Sequence, residues 1–164
     1  MKTTKLWRAI ATALTLALLV CATATPAEAA KAKGYLFKYK GVTVGMHSPA
    51  KKLLKKAGKP LATKVTKSCA YKGKDRTYKY KDFILYTYSH TDKGAEYING
   101  ITFLTNKVST KEGIKQGSTV AQMNKKYKKG KEKFGIYTFK KAKCKLQIEV
   151  TDDAVTNIRY VGTK

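Results

Sequence analysis

Residues 41–58 read GVTVGMHSPAKKLLKKAG, and residues 113–130 read GIKQGSTVAQMNKKYKKG. Gly41, Gly45 and Gly58 in the first keep the spacing of Gly113, Gly117 and Gly130 in the second, 72 positions on. Each stretch carries the start and stop signals of a short helix. In the first, Ser48 is placed to cap the N-terminus and Pro49 to take the first helical position, where its missing N–H costs nothing. Ala50, Leu53, Leu54 and Ala57 then follow at i, i+3, i+4 and i+7, the stripe of a helix lying on a core. Lys51, Lys52, Lys55 and Lys56 take the other side, and Gly58 is expected as a left-handed C-cap. In the second, Ser118 caps, Val120, Met123 and Tyr127 form the stripe, Gly130 stops the helix, and Lys125, Lys126, Lys128 and Lys129 face water. A cationic amphipathic helix also suits a membrane surface, but stripes this short and narrow are those of helices packed on a core.

A β-rich stretch follows each helix. TYKYK (77–81), FILYTYS (83–89) and EYINGITFL (96–104) read as strands in the first half. IYTF (136–139), CKLQIEV (144–150) and VTNIRYV (155–161) correspond in the second. Asp92-Lys93-Gly94 and Asp152-Asp153 supply the turns. Ile98, Ile101 and Phe103 match Val155, Ile158 and Tyr160 at an offset of 57, so the first half holds 15 extra residues. These are expected near KVTKSCAYKGKDR (64–76), the least regular part of the chain. YLFKYKGVTV (35–44) reads as an additional strand before the first helix. Such ordered self-similarity predicts an internal duplication. The fold class expected is α+β, two helix-plus-antiparallel-meander repeats (about 35–106 and 107–164) sharing one sheet. The join TNKVSTKE (105–112) is too brief for a tether, so residues 30–164 are expected to form one domain.

A glycine before a capped helix, Gly-x-Pro after it and then a meander resembles the BamE (SmpA/OmlA) and β-lactamase-inhibitor-protein superfamily. Gly45, Gly58 and Pro60 carry the resemblance in the first half; the second keeps Gly117 and Gly130 but has Glu132 in the proline position. SCAYKGKDRTYKYKDFILYTY (68–88), with GAEYINGITF (94–103) and TKEGIKQG (110–117), is also similar to a family of secreted or lipid-anchored Gram-positive proteins to which no activity attaches. The first resemblance implies a protein-binding fold, in its inhibitor branch a concave sheet that grips an enzyme. It implies no target, because a shared fold does not fix function.

The N-terminus has the parts of a secretory signal over residues 1–29. Lys2, Lys5 and Arg8 precede an apolar run from Ile10 to Val20, and Ala27-Glu28-Ala29 forms a cleavage site. The run falls short of the ~20 residues that span a bilayer. Cys21 offers a lipid anchor as the minority alternative, since Val20 stands where a lipobox needs a small residue. The protein is therefore expected to be secreted or associated with a bacterial cell surface. Removing the signal takes three of the 35 basic and one of the ten acidic residues and leaves 32 and 9, a net +23. Such a charge draws anionic polymers without a pocket. Of the 32, only Arg76 and Arg159 are arginine. Lysine is a hydrated point charge, whereas arginine reads phosphates and bases by geometry. The expected partner is an acidic protein or an anionic cell-envelope polymer, with no specific nucleic-acid readout. A plain solubilising coat is the other reading of these lysines.

Cys69 and Cys144 leave two readings open. One is a disulfide closing 75 residues, worth about 3–4.5 kcal/mol in the loop-entropy picture; the other is two buried free thiols. The sequence points away from catalysis, and no cofactor or metal is expected. His47 and His90 have no second ligand at metal spacing, the acidic residues are scattered, and there is no phosphate-binding loop or nucleophile elbow. The strands carry the binding signal. Strict alternation sets Lys38 and Lys40 opposite Tyr35, Phe37 and Tyr39, Lys79 and Lys81 opposite Tyr78 and Tyr80, and Lys145 opposite Cys144, Leu146, Ile148 and Val150. Together with Lys143 these lysines are expected to line one cationic face. The inward tyrosines read as core, and Tyr71, Tyr86 and Tyr88 as exposed contact residues. Three functions follow: a protein-binding module, a wall-polymer binder held by lysine density, and an enzyme, for which no constellation is present.

Overall fold

The computed structural model describes residues 34 to 163 other than 129. The signal segment, the anchor reading of Cys21 and Lys129 lie outside the described residues. The chain is mostly β. β1 (Phe37–Tyr39) and β2 (Val42–Val44) form a two-stranded hairpin. β3 (Ala62–Lys67), β4 (Lys74–Lys79), β5 (Phe83–Ser89), β6 (Glu96–Phe103), β7 (Lys131–Lys133), β8 (Ile136–Lys141), β9 (Cys144–Thr151) and β10 (Ala154–Gly162) form one eight-stranded sheet. Its order is β3-β4-β5-β6-β10-β9-β8-β7, with every neighbouring pair antiparallel. α1 (Lys51–Ala57) and α2 (Val120–Lys126) have seven residues each.

The α+β class of two helix-plus-meander repeats is thereby overturned. Seven residues make a helix only about 10 Å long, and each of the two has one fully buried side chain, Leu53 in α1 and Met123 in α2. α1 (KKLLKKA) and α2 (VAQMNKK) each bring only two large apolar side chains, too little area for a helical layer, and the sheet supplies most of the core. Register shows how. Leu85, Ile101, Tyr160, Leu146 and Phe139 stand side by side on β5, β6, β10, β9 and β8. All five are buried, each contributing about 1.5–3 kcal/mol of apolar transfer. Phe37 of β1 joins them, its ring 5.3 Å from Phe83, 5.5 Å from Phe103 and 6.2 Å from Tyr160.

Local details correct several expectations. YLFKYKGVTV is not one strand: it folds back at Lys40-Gly41, where φ is 44° and 82°, the left-handed pair of a tight hairpin turn. The stretch 64–76, expected to be irregular, holds most of the β3–β4 hairpin. β3 lacks an alternating pattern because all six residues are exposed. β7 was not expected either, being three exposed residues. Helix capping moves as well. Ala50 is the N-cap of α1, without a side-chain bond, and the Ser48 hydroxyl instead donates to the Gly45 carbonyl at 2.7 Å. Thr119 rather than Ser118 caps α2, and Gln122 completes a capping box with it. Gly58 ends α1 at φ 81°, but with ψ −153° rather than in the left-handed helical region. Gly130 is no cap, since α2 ends at Tyr127; a Cβ on Gly130 would run into the Phe139 ring.

Candidate binding face

With core side chains, the two helices and the β1–β2 hairpin on one side, the other face of the sheet keeps its side chains half-buried or exposed, except for Tyr88 at the end of β5. Register assigns them. One row runs Lys64, Thr77, Tyr86, Gly100, Val161, Lys145, Lys140 from β3 to β8, and the next runs Lys79, Ile84, Thr102, Arg159, Gln147, Thr138 from β4. The middle thus holds Tyr86, Gly100, Ile84 and Val161 beside Thr102 and Arg159, and the first row is flanked by lysine on both sides, the second on one. Tyr86 leans over Gly100, where a Cβ would stand 3.3 Å from the tyrosine Cδ2 and 3.1 Å from the Tyr160 carbonyl oxygen. Glycine at this position lets the ring lie down on the sheet. Arg159 pairs with Glu149 at 3.6 Å, leaving the lysines as the unpaired cations of the face among the described residues.

The sequence-predicted lysines do not gather on one face. Lys38 and Lys40 belong to the separate β1–β2 hairpin. Lys81 lies in the turn between β4 and β5, and Lys143 in the turn between β8 and β9. Only Lys79 and Lys145 project from the open face, four strand steps apart, or about 19 Å at the usual spacing. Alternation within each strand was legible, but which strands adjoin was not.

The three tyrosines also separate. Tyr86 is half-buried on the open face. Tyr88 is buried at 7% exposure, beneath the 38%-exposed Tyr71; the two rings stack at 4.9 Å and 18°. His90 stands edge-on to both, at 4.6 and 5.4 Å, and Tyr97 lies 5.7 Å from Tyr88. His47 completes the cluster. Its Nε2 is 3.0 Å from the Thr163 carbonyl oxygen, which can only accept, so Nε2 donates, and Nδ1 is hydrogen-bonded to the Tyr88 hydroxyl at 3.1 Å. His47 therefore ties the loop before α1 to the end of β10 and to β5. This five-ring patch was invisible in sequence because its members are brought together by the β5–β6 pairing and by the loop between β3 and β4.

On the helix side of the same strands, Glu96 collects a polar network. Its carboxylate accepts from the Tyr78 hydroxyl at 2.9 and 3.1 Å and from Thr87 at 2.8 Å, and faces Arg76 at 3.6 Å. Burial, with the Glu96 hydrogen bond, pushes the Tyr78 phenol up to about 12. The network ties the β4 end of the sheet to β6.

Cys69 is exposed and Cys144 buried, and both are free. The disulfide reading fails because Cys69 follows β3 at the sheet edge while Cys144 sits on β9, several strands away, far beyond the ~7 Å Cα separation that a bridge tolerates. Burial pushes the Cys144 thiol up to about 11, which keeps it protonated and unreactive. Among the described residues no three His, Cys, Asp or Glu side chains converge to hold a metal, and no helix is long and apolar enough to cross a membrane. No protein family, curated protein or solved structure matches the chain.

Sequence reasoning passed over Lys64, Lys140, Gly100, Val161 and Tyr97. A signal for Gly100 was present: a glycine in the middle of the apolar strand EYINGITF marks close approach to that backbone, and an aromatic on the neighbouring strand, here Tyr86, is what fills such a gap.

Proposed function

We propose that the protein is a secreted or surface-associated, cationic, non-enzymatic binding module that engages an acidic protein through the open face of its sheet. The observation that carries this reading is Tyr86 laid over Gly100 between Ile84, Thr102 and Val161, with lysines on both flanks. Tyrosine in an apolar centre is the usual anchor of a protein interface. Flanking lysines steer an acidic partner and add little once the contact is dry. The chain holds no specific nucleic-acid site in this reading, needs no cofactor, and uses no catalytic residue.

A second reading is favoured by the dominance of lysine over arginine: an anionic envelope polymer held by many point charges. The two differ in salt response. Capture of envelope and culture-supernatant components on the immobilised protein, at low and moderate ionic strength, tests both. A polymer held by charge alone is released steeply with salt. A tyrosine-anchored protein keeps a salt-resistant component that survives Lys79→Glu and is lost in Tyr86→Ala. If neither substitution alters capture, the open face is not the binding surface.

A further inference from the structure

We infer that β3 is a docking edge for an extended acidic peptide segment of a partner, which joins the sheet as a ninth strand. The inference rests on the binding-module reading but not on Tyr86, because the edge and the open face are separate surfaces.

The two edges of the sheet differ. β7 offers three residues, whereas β3 offers six, all exposed. The ladder fixes which backbone groups are free. Ser68 N–H donates to the Gly73 carbonyl at 3.0 Å and Tyr80 N–H to the Phe83 carbonyl at 2.9 Å. With the pairs Thr66↔Asp75, Lys64↔Thr77 and Ala62↔Lys79, antiparallel alternation turns the N–H and C=O groups of Thr63, Val65 and Lys67 away from β4. These are the groups a further strand would pair. Apolar surface accompanies them: Val65 is 51% exposed, and Leu61, just before the strand, 71%.

Charge selects the occupant. Beside the C-terminal end of β3 lies a shallow cleft of about 400 Å³, lined by Val65, Thr66, Lys67, Lys72, Lys74 and Asp92. Three lysines face one carboxylate there, and Lys74 reaches Asp92 only at 4.0 Å, so the cleft suits an acidic side chain. A second copy of the chain is disfavoured, since β3 against β3 sets Lys64 and Lys67 of both copies along one ladder in a protein of net charge +25, the like-charge device that keeps sheet edges apart. A wall polymer has no alternating N–H and C=O groups to meet the ladder. An extended acidic peptide meets all three features, in the manner of strand addition.

The test uses a fluorescein-labelled peptide in which glutamate alternates with valine or threonine, titrated by anisotropy at near-physiological ionic strength. A second peptide has the same side chains but is N-methylated on alternate residues along its pairing edge, so its charge is intact and its ladder is broken. Binding is expected to weaken about tenfold or more for the N-methylated peptide and for Val65→Pro, which removes one outward N–H, and to be unchanged in Tyr86→Ala. Proline at that outward position leaves pairing with β4 intact; if that variant misfolds, the N-methylated peptide still decides. Equal affinity for both peptides overturns the proposal in favour of charge attraction alone. A dimer seen by sedimentation and abolished by Val65→Pro overturns it in favour of a second copy. Loss of envelope capture in Tyr86→Ala with peptide binding intact would leave the edge standing and locate the other interaction on the open face.

Discussion

The two halves of the sheet, β3 to β6 and β7 to β10, each contribute four antiparallel strands and meet where β6 pairs with β10. They are built differently. In the second half β9 alternates, with Cys144, Leu146 and Ile148 buried, and there is one half-exposed ion pair, Arg159–Glu149. The first half keeps the long exposed edge, the Glu96 network under the sheet and the five-ring patch at its end. Half-buried charge and exposed apolar surface both work against stability. The polar network and the ring patch belong to the first half alone, whereas exposed apolar surface occurs in both, at Leu61 and Val65 in the first and at Phe134, 88% exposed, in the second; departures from simple packing gather at functional sites.

The largest effects test whether the halves are one cooperative unit. Leu85→Ala in the first and Leu146→Ala in the second each empty a fully buried site and are expected to cost about 2–5 kcal/mol. Because β6 and β10 are hydrogen-bonded, both variants should lower a single denaturant transition. Two separate transitions would mean that the halves fold independently.

The next effect sharpens the contrast in polar chemistry. Glu96→Gln leaves Arg76 facing a neutral amide and is expected to cost about 1–3 kcal/mol. Glu149→Gln, which loosens the half-exposed pair, should cost no more than about 1 kcal/mol. The Tyr78 phenol gives this a pH signature. Its value in the folded protein is raised from 10.0 to about 12, so the unfolded chain ionises first. Its contribution is complete below pH 10 and is lost as pH rises toward 12. The comparison is between wild type and Tyr78→Phe, which isolates the phenol. The variant should lose less stability between pH 9 and 11.5 in guanidinium melts.

Two glycines that look equivalent in sequence separate next. Gly58 has φ 81° and open space around it, whereas Gly130 lies against the Phe139 ring. Alanine at either is expected to cost about 1–3 kcal/mol, at Gly58 through backbone strain and at Gly130 through overpacking. Phe139→Leu should therefore recover stability in the Gly130→Ala background and none in the Gly58→Ala background. Smallest is Thr119→Ala, which removes the capping box of α2 for about 1 kcal/mol. Thermal melts resolve each of these.

The paired glycine stretches disclosed both helices and the polarity of each, and alternation disclosed most strands. What stayed hidden has one physical cause. Local pattern reports a residue's face but not its neighbours. Lys38 and Lys145 read alike, yet one lies on a hairpin apart from the sheet and the other on its open face. Tyr86 and Tyr88 read alike, yet one lies over Gly100 and the other beneath Tyr71. β3 went unread because an edge exposed on both sides has no period. The α+β expectation failed for a related reason: capping signals mark where a helix begins, but helical area depends on how many turns find a core.

The decisive measurement is lysine acetylation with and without bound partner, using the component retained in the capture experiment and polyglutamate as a reference polyanion. Occupation of the open face protects Lys64, Lys79, Lys140 and Lys145 while Lys51, Lys52, Lys55 and Lys56 on α1 stay reactive. Equal protection of both groups by the captured component, matching polyglutamate, would contradict a defined binding face.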